Sequence, residues 1–167
     1  ALWVPLYGGF GARGAVAGQK VVRVDVSDPL NPSTDAGVDL SGLDLHAFDG
    51  GSPVARPYAI AASGNQLFVA LNNLNPDTYV PEGPGLLAKI DATTLAVSVI
   101  DLGADKCLNP VWLATSGTNV VVACAGAANY DFVTYALTSV DKAGMVVVDL
   151  TGARQASWTS ECPADAG

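Results

Sequence analysis

His46 is the chain's single histidine, and imidazole is the side chain that moves protons near neutral pH. With no second histidine and no cysteine cluster around it, no zinc or copper ligand set is available. A Ser-His-Asp triad would have to use His46, and no nucleophile elbow stands near it. Its segment, Leu43-Asp44-Leu45-His46-Ala47-Phe48, reads as an alternating strand that turns His46 to solvent. Asn73-x-Asn75-x-Asp77 has the alternating oxygen ligands of a calcium loop. Pro76 interrupts it, and neither the turn glycine nor the distal glutamate falls where such a loop needs them, so a turn-rich loop is the default reading. Asp25, Asp91 and Asp149 each close an apolar run and precede turn residues, which points to Asx turns rather than to paired acid–base carboxylates. No catalytic residue and no cofactor is expected, and Asn73, Asn75 and Asp77 are the only metal candidates. Three cysteines remain, Cys107, Cys124 and Cys162.

The elements that position these residues follow from composition. A chain of 167 residues is one domain's worth and can bury a sizeable core. Half of it is apolar, with valine and alanine prominent, while 18 glycines, 10 prolines and only 14% charged residues suit many short strands joined by turns. No apolar run reaches the length of a membrane-spanning helix. Sixteen acidic against eight basic residues give a net charge of −8, which disfavours nucleic acid and anionic lipid as partners. The first ten residues lack the basic region and cleavage site of a signal peptide.

Residues 57–69, Pro-Tyr-Ala-Ile-Ala-Ala-Ser-Gly-Asn-Gln-Leu-Phe-Val, return 53 positions later at 110–122 as Pro-Val-Trp-Leu-Ala-Thr-Ser-Gly-Thr-Asn-Val-Val-Val. The template is a proline, a first strand ending in Ser-Gly, a second apolar strand, a variable loop, and a third strand ending in aspartate. Third strands are expected at 21–25, 87–91 and 145–149, and fourth strands at 37–48, 96–101 and 153–160. Leu2-Trp3-Val4 aligns with second strands 67–69 and 120–122, so the chain is expected to begin inside a unit and to be a piece of a longer one. Four antiparallel strands per unit of about 50 residues is the pattern of a β-propeller blade. The motif Pro-x-x-(Ile/Leu)-Ala-x-Ser-Gly-x-x-(Leu/Val)-(Phe/Val)-Val-Ala, followed by Gly-x-(Leu/Val)-x-x-(Ile/Val)-Asp, resembles the YVTN family of β-propeller repeats. It departs from that family at 123–126, Ala-Cys-Ala-Gly, where an Asn-rich strand end is absent. The resemblance implies an all-β partial propeller. On that resemblance residues 1–50 are expected to form a partial blade lacking its inner strand, 51–103 and 104–162 full blades, and 163–167 the start of the next link.

In that geometry the long segments 8–18, 72–85 and 125–144 share one face with the links 49–57 and 103–110, and the short turns share the other. Insertions collect on the working side of a repeat protein, so Tyr79, Glu82, Asn129, Tyr130, Asp131 and Tyr135 are candidate binding residues for a protein or small-molecule ligand. The aromatic stretch 129–135 suits either an exposed extra hairpin or a small satellite core. Trp3, Trp112 and Trp158 are expected to pack between blades. Cys107, three residues before its unit's proline, and Cys124, at the end of the second strand, arrive at the same edge of adjacent strands and are expected to pair. That bridge implies an extracytoplasmic protein. Cys162 occupies the position of Cys107 one repeat on, and its partner is expected beyond Gly167. The reading is an extracytoplasmic scaffold or binding module, completed by the remaining blades of a parent chain or by other copies. The alternative is the non-catalytic portion of a propeller-type or electron-transfer enzyme whose catalytic groups lie elsewhere.

Overall fold

The computed structural model describes residues 1–7, 18–75, 77–78 and 80–163, with backbone alone at 35 and 160–163. It is all-β apart from a single 3-10 turn among those residues, Phe48–Gly50. The first sheet holds β1 (Leu2–Leu6), β2 (Lys20–Asp25) and β3 (Ser33–Asp39), in that order. The second is the meander β4 (Pro57–Ser63), β5 (Gln66–Leu71), β6 (Leu86–Asp91) and β7 (Val97–Asp101). The third joins β8 (Pro110–Ser116), β9 (Asn119–Cys124), β11 (Leu137–Asp149) and β12 (Arg154–Pro163), with β10 (Ala127–Tyr130) added to the first half of β11. Every pairing is antiparallel.

The middle strands are continuous apolar runs, such as residues 67–71 and 120–124, and so present apolar side chains on both faces of their sheets. Val21 and Val38 of the first sheet pack on Leu67, Val69, Ala88 and Ile90 of the second. On the opposite face of the second sheet, Phe68, Ala70, Leu87 and Ile100 pack on Leu113, Val120, Val122, Val146 and Val148 of the third. The three sheets are therefore layered in chain order, with the second sheet covered on both sides. Equivalent residues of the repeat share backbone geometry as well as sequence. Arg56 and Asn109, 53 residues apart, have φ of 45° and 52°, and Asn73 and Gly126, at the same spacing, have φ of 54° and 77°.

Three expectations change. The fourth strand of the first unit is Ser33–Asp39, not 37–48, because Asp39 Oδ1 accepts from Ser41 N at 2.9 Å and turns the chain there. His46 consequently lies outside any strand, at φ 49°, in a turn whose backbone N–H donates to Asp44 Oδ1 at 3.0 Å. The third strand of the last unit starts at Leu137 rather than 145, since its first half carries β10 as a hairpin partner. Trp112 and Trp158 are exposed rather than packed between sheets, for they stand on the third sheet's outward face. Trp3 alone of the three packs on the core between sheets, with Arg23 over its ring at 5.9 Å.

Candidate binding face

The loops between second and third strands and the links between sheets meet at one end of the molecule. Phe48 N donates to Glu82 O at 2.5 Å, Gly85 N to Cys107 O at 2.9 Å, and Gly126 N to Leu108 O at 3.0 Å. Each of these bonds joins a link to a loop, so the segments 48–57, 72–85, 103–110 and the start of 125–143 form one interlocked surface. At the other end lie the short turns, where Ala92 N donates to Asn65 O at 2.9 Å and Leu150 N to Thr118 O at 3.0 Å.

Two buried asparagines, missed as structural residues by the sequence reading, hold the loop end together. Asn72 Nδ2 donates to Pro110 O at 2.8 Å and to Asn109 Oδ1 at 2.6 Å, tying the second sheet's loop to the third sheet's first strand. Asn73 Nδ2 reaches Leu45 O at 2.8 Å and Pro84 O at 3.0 Å, tying the same loop to itself and to the link that follows the first sheet. Their signal was the Asn-Asn pair directly after an apolar strand, a place where backbone groups leave the ladder and need side-chain partners. In the third sheet the equivalent positions are Ala125 and Gly126, and there Cys107 and Cys124 lie at disulfide distance, Cα atoms 5.4 Å apart. A covalent clamp stands where the amide clamp is missing.

Of the calcium candidates, Asn73 is engaged in this clamp. Asn75 Oδ1 accepts from Asp77 N and Thr78 N, both at 2.8 Å, while Asn75 Nδ2 donates to Glu82 Oε1. Asp77 is exposed, Glu82 is half-buried, and Tyr79 lies outside the described residues. Among the described residues no group of three or more His, Cys, Asp or Glu side chains is placed to hold a metal ion. His46 Nδ1 lies 3.2 Å from Asp101 Oδ2, and Nε2 lies 3.8 Å from Asp44 Oδ2. The first contact bridges the segment after β3 to the end of β7, and the second stays within that segment.

Asn129, Tyr130, Asp131 and Tyr135 come together on the β10–β11 hairpin. Gly126 allows the hairpin to start, because a Cβ there would stand 2.4 Å from Asp141 O. Asn129 Nδ2 crosses the ladder to Ser139 Oγ at 2.9 Å and Asp141 Oδ2 at 3.0 Å. The turn closes on Asp131, whose Oδ1 accepts from Val133 N at 2.9 Å, from Thr134 N at 2.6 Å and from Thr134 Oγ1 at 2.9 Å. A rigid turn thus carries apolar side chains that stay in water: Phe132 is 94% exposed and Tyr135 81%, with Tyr130, Val133 and Leu137 beside them. The satellite-core alternative does not hold for these aromatics.

The aspartates at strand ends act as turn acceptors. Asp25 Oδ1 accepts from Ser27 N, Asp91 Oδ1 from Thr93 N and Thr94 N, and Asp149 Oδ1 from Thr151, Gly152 and Ala153 N. The Thr94 and Thr93 N–H groups hold the Asp91 carboxyl below the usual range, and the Thr151 hydroxyl and backbone N–H groups do the same for Asp149. Thr134 lowers Asp131 in the same way. A carboxyl depressed in the folded state contributes stability above its unfolded pKa, about 3.9, and loses it as pH falls through the folded value. The urea midpoint should therefore drop below about pH 4, with a shallower drop in the Asp91→Asn, Asp149→Asn double variant. A variant and a parent with superimposable pH profiles would remove these turns from the acid response.

The class these features define is an all-β protein of layered antiparallel sheets with an aromatic-tipped hairpin at its loop end. Comparison with protein-family models and with curated proteins finds no match. No helix of the described residues is long and apolar enough to cross a membrane.

Proposed function

We propose that the chain contributes blades to an extracytoplasmic β-propeller-type scaffold that binds a protein ligand through the loop end, with the β10–β11 hairpin as its main contact. The observation that carries this reading is the hairpin tip, where Phe132 and Tyr135 are exposed on a turn fastened by Asp131. Rigid aromatics lose little conformational entropy on binding and bury a large area, which is why they dominate interfaces. The blade reading is supported by the sequential meander of the second sheet and by the packing of β4 beside β8. The cysteine pair at disulfide distance supports an oxidising compartment.

The test is selection of a displayed peptide library on the immobilised chain, followed by titration of the enriched peptides against a Phe132→Ser, Tyr135→Ser double variant. Surface substitutions at these positions should leave the melting temperature within a few degrees. Peptide affinity should fall at least about tenfold, the loss of one or two interface anchors. Equal affinity for parent and variant would overturn the assignment of the hairpin.

A further inference from the structure

The third sheet has an outward face with two cross-strand rows. Trp112 pairs with Ala123, Ala123 with Met145, and Met145 with Trp158. The next row is Ala114, Val121, Val147 and Ala156. Neither row contains a polar side chain. Trp112 and Trp158 are 53% and 56% exposed, Met145 is exposed beside them, and the second row is half-buried.

Six of these eight positions match apolar positions on the face by which the second sheet packs on the third, while Val147 and Ala156 stand where the second sheet has Lys89 and Ser98. Ala59, Ala61, Phe68, Ala70, Leu87 and Ile100 stand where Trp112, Ala114, Val121, Ala123, Met145 and Trp158 stand, by the 53-residue repeat and by ladder register. In the second sheet all six lie in or against the buried core. The first sheet carries the complementary surface. Leu2, Val4, Leu6, Val22 and Val24 occupy the positions of Val120, Val122, Cys124, Val146 and Val148, the third sheet's side of that same interface. Leu2 and Leu6 are exposed, and a shallow depression lies beside Val22 and Gly37, lined also by Lys20, Thr34 and Asp39.

We infer that the outward face of the third sheet docks on the open face of the first sheet of a second copy, repeating between chains the packing that layers the sheets within one. The inference rests on this residue equivalence and not on the blade reading. Because the two surfaces differ, the contact is heterologous: it closes a ring where the rotation allows and otherwise propagates. The apolar rows of Trp112, Met145 and Trp158 on one side and of Leu2, Val4, Val22 and Val24 on the other supply the driving force, and Lys20, Thr34 and Asp39 rim the first-sheet side.

The test measures the mass of the full chain in solution by sedimentation across concentration. The parent should form species of two or more chains of 16.9 kDa. A variant with Trp112→Lys and Trp158→Lys keeps only the first-sheet face, and one with Leu2→Glu and Leu6→Glu keeps only the third-sheet face. Each alone should be monomeric, and an equimolar mixture should give a one-to-one dimer. Far-UV circular dichroism and an intact Cys107–Cys124 bridge on non-reducing mass analysis show that each variant has folded. A monomeric parent at high micromolar concentration would overturn the inference, as would self-association of either variant or a mixture that stays monomeric.

Discussion

Phe68→Ala is expected to destabilise the chain by about 3–5 kcal/mol, the range for removing a buried aromatic ring. Phe68 is fully buried and is the largest side chain between the second and third sheets, touching a cluster that includes Leu87, Ile100, Leu113 and Val122. Its neighbours are short and branched, and they sit on two hydrogen-bonded ladders that hold their spacing. Such a site cannot collapse around the missing ring, so the cavity cost adds to the lost transfer energy. Against a typical total of about 5–15 kcal/mol, the loss leaves a protein partly unfolded at moderate temperature. Urea denaturation at neutral pH measures it. A change below about 1 kcal/mol would show that the two sheets do not depend on this ring for their packing.

Loss of the Cys107–Cys124 bridge ranks next. The cysteines are 17 residues apart in sequence, and closing a loop of that size stabilises by about 3 kcal/mol in the chain-entropy account. Both sulfurs are buried, so the Cys107→Ala, Cys124→Ala variant also loses packing within the same core cluster. The parent's melting temperature should fall in reductant to near that of the double variant, whose own melting temperature should not respond. A parent that melts identically with and without reductant would contradict the bridge. The second sheet has no bridge of its own, for the residue equivalent to Cys124 is Leu71 and its loop is held by Asn72 and Asn73 instead.

Much of the architecture was legible because strand signals are local and recur. The repeat of 57–69 at 110–122 located β4, β5, β8 and β9, and the runs ending in Asp25, Asp91 and Asp149 located the C-terminal ends of β2, β6 and β11. The reading failed where a local pattern met a competing hydrogen bond. Leu43-Asp44-Leu45-His46 alternates as a strand does, but Asp39 and Asp44 offer their carboxylates to nearby N–H groups and the backbone turns. The extension of β11 back to Leu137 had no local signal, since it depends on β10 as a partner. At the loop end, sequence marked the aromatic stretch but not whether it would fold inward.

The sequence by itself determined the all-β class, the antiparallel meander, the Asx turns and the edge at which Cys107 meets Cys124. Only the tertiary structure decided which side of each strand is dry. Val146, Val147 and Val148 are identical side chains in one strand, yet Val146 and Val148 are fully buried while Val147 is not. Alternation assigns them to opposite faces, but a neighbouring sheet must arrive before one face becomes a core. For the same reason the sequence could not tell that Trp112 and Trp158 face outward while Phe68, on the equivalent face of the preceding sheet, is enclosed.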